Sequence, residues 1–517
     1  MKLKFPLSAL LLLLAAAPAR ALTIAVYHTN DAHGWYSARP ARWDNHNPNR
    51  LIGGYAALSA LLKKEKNPYL LFDSGDLYQG TPEGILTKGM ASITLMNQLG
   101  YSAAVPGNHD FDYGEARFKT LVSSAAFPFV GANVYNKKDF SRAAYLKPFV
   151  ILEKAGKKIA VLGLLGKHTA TSTLPANVKN LEFREEAAET ARWMPEVLKR
   201  APDAVIVLAH IGLSMDLSLK LVDVSTYEFD PPPFGTLLVA RAAHGINLVL
   251  GGHNHSGLAR GFRDPISGAW LGESYYGLSY VTRAELIFDD ATGKLDTIRM
   301  ELLPLWVDET GQDPAVLKTL AGFEASVERA MGKVVGRAAA DLALSPAGLD
   351  SPLGNWLCDV TRKAAGTDMA FHNTGALRFP IRKGPVRLRD LYQAMPFENT
   401  VITMRLSGVQ LAQLMSDNLG KNKAAMQVSG LEVEFKPGPH GVPSVLRLRH
   451  KGKEIKPADE FTVATNSYLA FGGDGGNAFA DGKDVTDTLL SVRDIMAKAI
   501  SKTPIKPPKT GRIKRLK

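Results

Sequence analysis

Short apolar runs recur along the first half of the chain, and five of them stop at polar turns rich in possible metal ligands. Residues 22–28 (LTIAVYH) read as a buried strand that leads into Thr29-Asn30-Asp31-Ala32-His33. Residues 69–72 run into Asp73-Ser74-Gly75-Asp76, and residues 103–105 into Pro106-Gly107-Asn108-His109-Asp110-Phe111-Asp112. Residues 204–209 end at His210, and residues 246–250 at Gly251-Gly252-His253-Asn254-His255. Apolar runs bounded by turn signals predict strands, and the stretches 54–66 and 185–200 between them read as helices. Strands alternating with helices predict a layered α/β domain. Sites in such sheets form beyond the carboxyl ends of the strands, so the five polar turns are expected to converge, with glycines easing the sharp bends.

The pattern changes after Pro304. Asp313-Pro314 opens a charged, helix-favouring stretch that ends at Met331-Gly332 and reads as a connecting helix. From about Val334 a second α/β unit follows, with no further metal motif and no repeat of the first. The expected organisation is a leader over 1–21, a first domain over 22–303, a linker with its helix over 304–333, a second domain over 334–501 and a basic tail over 502–517.

The leader has Lys2 and Lys4, an apolar run over 7–17 and Ala19-Arg20-Ala21. It predicts a cleavable secretory signal, too short to span a bilayer, and hence a secreted or periplasmic protein without a transmembrane anchor. The single cysteine, Cys358, excludes an intrachain disulfide and suits a buried helix face. With 45% hydrophobic and 22% charged residues, the 517-residue chain has enough apolar side chains for large cores. Its formal charge of +12 falls to +9 without Lys2, Lys4 and Arg20, and to +2 without the seven basic residues from Lys502 onward. The excess therefore sits in a tail expected to be flexible and solubilising, and no nucleic-acid polymer is expected as a partner. Nothing in the sequence specifies an oligomeric state.

Carboxylate, imidazole and amide oxygen together form a mixed ligand set that suits divalent Zn, Mn, Co or Fe, and no thiolate is at hand for a cysteine-rich site. Two such ions about 3.5–4 Å apart lower the pKa of a bridging water and clamp attacking and leaving oxygens during phosphoester hydrolysis. Asp76, alone at its strand end, is the candidate to bridge them. An isolated histidine is more often an ordinary core or surface residue, and His28, His46, His168, His244, His372, His440 and His450, all outside the motifs, are read that way.

Asp-x-His, Gly-Asp, Gly-Asn-His-Asp, a lone His and Gly-His-x-His, in that order, resemble the calcineurin-like metallophosphoesterases, and Gly107–Asp112 resembles their 5'-nucleotidase family. The resemblance implies an α/β/β/α first domain, a linking helix and an α/β substrate domain. It implies one metal on Asp31, His33, Asp76 and His255 and another on Asp76, Asn108, His210 and His253. It also implies that His109 and Asp112 form a dyad beside them, with the imidazolium stabilising phosphoryl or leaving-group charge. His255 departs from the many relatives that have an amide there.

The second unit carries the resemblance further, through Leu353-Gly354-Asn355, His372–Arg378, Pro396-Phe397-Glu398-Asn399, Gln427-Val428-Ser429-Gly430 and Gly472-Gly473-Asp474-Gly475. Asn373, Gly375, Arg378, Tyr468 and Asp474 are the implied substrate contacts: a guanidinium fork for oxyanions, an aromatic for a base and a carboxylate for sugar hydroxyls. Two positions depart from the pattern. Ala425 stands where an aromatic is expected, and residues 345–350 lack an expected arginine, so Phe471, Arg337 or Arg382 would have to substitute. The expected substrate is a small phosphoester, foremost a nucleoside 5'-monophosphate. Cyclic nucleotides, nucleotide sugars and non-nucleotide esters are the alternatives, and a metal-containing surface binding protein without turnover is the reading from another class. A site between domains also implies hinge motion near residues 320–340.

Overall fold

The computed structural model describes residues 22–41, 44, 46–214, 217–224, 234–345, 348–419, 425–438, 442–473 and 475–516. The predicted leader, His440 and Asp474 lie outside the described residues. Among the described residues, no helix is long and apolar enough to cross a membrane.

The uninterrupted apolar runs reflect strands buried on both faces. In Ala204–His210, Ile206 and Leu208 join a core shared with Ile24, Leu71 and Leu250, while Val205 and Val207 face Met194, Val197, Leu237 and Val239. Those last four residues belong to helices Glu186–Leu198 and Gly235–Arg241. On the far side, Leu58 and Leu95 of helices Tyr55–Leu62 and Met90–Leu99 close the first core. Two sheets are thus stacked between two helical layers, the α/β/β/α arrangement expected.

Register places the turns. In the first sheet, Leu22–Thr29 pairs in parallel with Tyr69–Asp73, which pairs in parallel with Ala103–Ala104, putting Thr29 opposite Asp73 and Asp73 opposite Ala104. Three ligand-bearing turns therefore leave one edge side by side. In the second sheet, Ala204–His210 runs parallel to Lys157–Leu165 and Leu248–Gly251, so His210 and the Gly252–His255 turn emerge together. The antiparallel strands Tyr280–Phe288 and Leu295–Pro304 close the first sheet at its other edge.

The connecting helix, Pro314–Met331, starts as predicted, with the Asp313 side chain accepting the Ala315 N–H and Pro314 in its first turn. Val316 and Leu320 pack into the first core, and Asp313 also meets Ser59 and Lys63, so the helix is anchored to the first domain. Its other end touches the second domain, where Glu328 pairs with Arg387 and Arg389.

The second domain has a five-stranded sheet with Met369–Asn373 and Glu460–Asn466 near its centre and a four-stranded sheet beside it. Cys358 is buried on helix Pro352–Ala365. The tail is not the flexible appendage expected. Ile505 bridges to Ala338 and is buried, and Ile513–Arg515 adds a parallel strand to Glu432–Pro437 with Ile513 in the core. Arg512 grips the Asp359 carboxylate at 2.8 and 2.7 Å and the Val428 carbonyl at 2.8 Å. Ile505 and Ile513, set amid the lysines, give this segment an inward face that its charge obscures.

Candidate metal centre and interdomain cleft

The strand ends deliver the ligand-type side chains to one place. Asp31, His33 and His255 form one group able to hold a cation, and Asp76, His210 and His253 form another. The Asp76 Oδ2 atom lies 3.3 Å from His210 Nε2 and 3.8 Å from His33 Nε2, between the two groups. Asn108 Oδ1 is 3.1 Å from both His210 Nε2 and His253 Nδ1, its amide turned by donation from Nδ2 to the Ser172 carbonyl.

Five of these residues, Asp31, His33, Asp76, His253 and His255, have positive φ between 47° and 71°. Non-glycine residues seldom occupy that region, at a cost of about 1–3 kcal/mol each. The strain is offset by a frame of buried hydrogen bonds. Asp110, fully buried, accepts N–H groups of Asp76, Leu77 and Gly107 at 2.8–3.0 Å. Asp31 Oδ2 accepts from Asn30 and from the His253 backbone N–H.

The second ring nitrogens fix the tautomers. His33 Nδ1 lies 2.6 Å from the Gln79 carbonyl and His210 Nδ1 lies 2.6 Å from that of Ser74, so each donates there and turns Nε2 into the centre. His33 Nε2 then faces His255 Nε2 at 2.9 Å, and Asp31 Oδ1 is buried without any hydrogen-bond partner. Burial, with the Asp76 carboxylate nearby, pushes Asp31 up to about 7. Burial works against a charged Asp76 as well, but His210 and His109 outweigh it and hold this carboxylate well below its ordinary range. Burial keeps His33 down at about 3; burial together with neighbouring imidazoles keeps His253 and His255 well below the usual histidine value. Inward-turned imidazole nitrogens, two carboxylates and an orphaned carboxylate oxygen in a buried cluster fit divalent cations.

Beside this floor, His109 Nδ1 meets Asp112 Oδ2 at 2.9 Å, and Asp112 Oδ1 accepts the Thr173 hydroxyl. Burial alone would lower His109, but the carboxylates of Asp112 and Asp76 raise it above the ordinary imidazole value. Its Nε2 faces Arg378 Nη2 of the second domain at 3.4 Å, and Arg378 Nε is buried with no partner.

Asn373, Gly375, Arg378 and Tyr468 line a cleft of about 200 Å³ with His109, Asp112 and Asn108. Tyr468 donates its hydroxyl to the Thr171 carbonyl across the domain boundary. Phe397 lines the cleft, its ring 5.4 Å from that of His109. Among the described residues, Ala425, Phe471, Arg337 and Arg382 do not line it; Phe471 is exposed and Arg382 is paired with Asp341. The sequence quoted Phe397 within Pro396–Asn399, but only the fold shows which way that loop faces.

His168, read as an ordinary residue and part of neither ligand group, also lies close by. Its ring stacks on His253 at 3.9 Å, three residues past the end of Lys157–Leu165. A sixth apolar strand ending in Gly166-Lys167-His168 was the available signal. His28 and His372 are structural as read, buried between Ser74 and Ser274 and against Thr361.

Residues 24–257 match the family model for calcineurin-like phosphoesterases, and residues 334–481 match that of the 5'-nucleotidase C-terminal domain. The two domains in this order place the chain in the 5'-nucleotidase family of the calcineurin-like metallophosphoesterases, which are metal-dependent phosphoester hydrolases. It is similar to the trifunctional nucleotide phosphoesterase YfkN of Bacillus subtilis, at 27% identity over 95% of this chain, and spans 35% of that protein. Similarity to UshA of Yersinia enterocolitica is 26% identity over 87% of this chain and 86% of that one. The fold matches a 5'-nucleotidase precursor from Thermus thermophilus with TM-score 0.82 and 24% identity, covering 96% of this chain and 99% of the other.

Proposed function

We propose that the protein is a secreted 5'-nucleotidase that releases phosphate from nucleoside monophosphates with the help of two divalent cations. The observation that carries this reading is the approach of Arg378 to His109 across the cleft, 3.4 Å apart beside the two ligand groups. A guanidinium with a partnerless buried nitrogen and an imidazole above its ordinary pKa share a natural partner in a phosphoryl anion.

Asp31, His33, Asp76 and His255 would hold one cation, and Asp76, Asn108, His210 and His253 the other. Bound there, the pair would supply Lewis-acid polarisation and a more acidic water. The chain's own groups do the rest. Arg378 orients the phosphoryl oxygens, and His109 Nε2–H stabilises charge on them or on the leaving oxygen. Asp112 keeps the proton on Nδ1 and is itself held by Thr173. Phe397 and Tyr468 offer apolar faces to a base, and Asn373 and Gly375 supply polar lining. The leader supports export. Similarity to YfkN, a trifunctional nucleotide phosphoesterase, favours a second reading in which further nucleotide esters are also cleaved.

Phosphate release by Mn- or Zn-loaded enzyme tests this against AMP, 2',3'-cyclic AMP, UDP-glucose and p-nitrophenyl phosphate. AMP is expected to give the highest kcat/KM. Equal or better turnover of the aryl ester would remove the nucleotide from the proposal.

A further inference from the structure

The geometry points to His168 as a positioning residue for one of the two cations, the one assigned to Asp76, Asn108, His210 and His253; the inference rests on the two-cation centre proposed above. The histidines that face this centre are held in two ways. His33 and His210 each donate from Nδ1 to a backbone carbonyl at 2.6 Å, so a hydrogen bond sets the direction of the ligating nitrogen. His253 makes no comparable bond to a carbonyl among the described residues, and its Nδ1 faces Asn108 Oδ1 at 3.1 Å. A neighbouring ring sets its plane instead. His168 lies on it with centroids 3.9 Å apart and planes inclined by 33°, closer than the 5.1 Å at which Tyr276 stacks on His255.

The seat of the His168 ring is shaped for it. A Cβ at Gly166 would overlap the imidazole, so the glycine leaves the space that the ring fills. Its Nε2 is buried with no hydrogen-bond partner among the described residues, which leaves the stack on His253 as the contact that fixes the side chain. The residues after it serve the same corner. Ser172, at the end of the short helix Thr169–Ser172, accepts the Asn108 amide at 2.9 Å and thereby turns Asn108 Oδ1 toward His210 and His253. Residues 168–172 therefore support both His253, by stacking, and Asn108, by hydrogen bonding. The ligands assigned to the other cation alone are supported elsewhere: His33 by Gln79, Asp31 by Asn30 and the His253 N–H, and His255 by Tyr276. Groups that orient a ligand from behind typically change metal affinity by about 10–100-fold when removed, so loss of the His168 ring should weaken one cation and spare the other.

Mn titration of the chelator-stripped full chain, followed by bound metal and by electron paramagnetic resonance, tests this in wild type, His168→Ala and His168→Phe. Two Mn ions in adjacent sites couple magnetically, whereas a lone ion keeps a mononuclear spectrum. Wild type is expected to show the coupled spectrum at two equivalents. His168→Ala should bind one Mn about 10–100-fold more weakly and the other unchanged, so that the mononuclear spectrum persists at two equivalents. His168→Phe, which keeps a flat ring against His253 and lacks both nitrogens, should restore the affinity and the coupled spectrum. Unchanged affinities in His168→Ala, equal weakening of both ions, or a His168→Phe as weak as His168→Ala overturns the inference. A wild type that takes up a single Mn ends the two-cation reading and the inference with it, whereas a coupled wild type matched by His168→Ala ends the inference alone.

Discussion

The floor of the cleft and its opposite wall are built in different ways. The floor comes from one domain, and its ligands sit within a few residues of strand ends whose register brings them together. The wall comes from the second domain and reaches the site only because the domains meet. Gln79 shows the seam: its carbonyl accepts from His33, while its side-chain amide donates to Pro396 in the wall loop. The two ligand groups of the floor lie within one domain, whereas the wall meets them only across the domain boundary. Strained backbone marks the floor, where five ligand-type residues have positive φ, whereas Asn373, Gly375, Arg378, Phe397 and Tyr468 of the wall do not.

The largest effect should come from the floor. Asp76→Ala removes the one carboxylate between the two groups; at least one cation per chain should be lost by elemental analysis, with activity down by about 10³-fold or more. Retention of both ions would show that Asp76 does not connect the groups. Next is His109→Ala, expected to lower kcat by about 10²-fold with metal content intact, since the ring is no part of either group. Loss of metal in that variant would merge dyad and floor into one unit.

A pH profile sharpens the distinction. His109 is held above its ordinary pKa by Asp112 and Asp76 against burial, so it keeps its proton to higher pH and a step needing the imidazolium fades only as pH rises through that raised value. Asp112→Asn removes one of the raising carboxylates, and the alkaline decline of kcat/KM should move to lower pH. An unmoved limb would mean that another group titrates. The smallest effect is far from both surfaces: Arg512→Ala should lower Tm through loss of about 1–2 kcal/mol in the second domain while kcat stays within about twofold. No change in Tm would return the tail to a dispensable role.

The floor was legible because metal chemistry writes itself locally. Each ligand follows an apolar run, and the predicted runs over 22–28, 69–72, 204–209 and 246–250 fall within one to two residues of the strand bounds at most ends. Glycine does carry bends as expected, at Gly34 and Gly75; less legible was that the ligand-type residues beside them take the left-handed conformation as well. Asp110 was within a recognised motif, but its three backbone partners come from two turns and emerge only on folding. The wall was harder still. Nothing local marks Phe397 and Glu398 as lining residues rather than core or surface, and the backbone carbonyl of Ala425, the position where an aromatic was expected, receives the Thr374 N–H. Basic composition concealed the tail, because two isoleucines and one well-placed arginine suffice to seat it.

Titration of chelator-stripped protein with Mn or Zn, following bound metal and AMP hydrolysis together, tests the central claim most directly. Two equivalents per chain should bind, with phosphate release reaching its plateau only as the second is taken up. Full hydrolysis by metal-free protein, or saturation of activity at one equivalent with no second site filled, would contradict a two-cation centre on these strand ends.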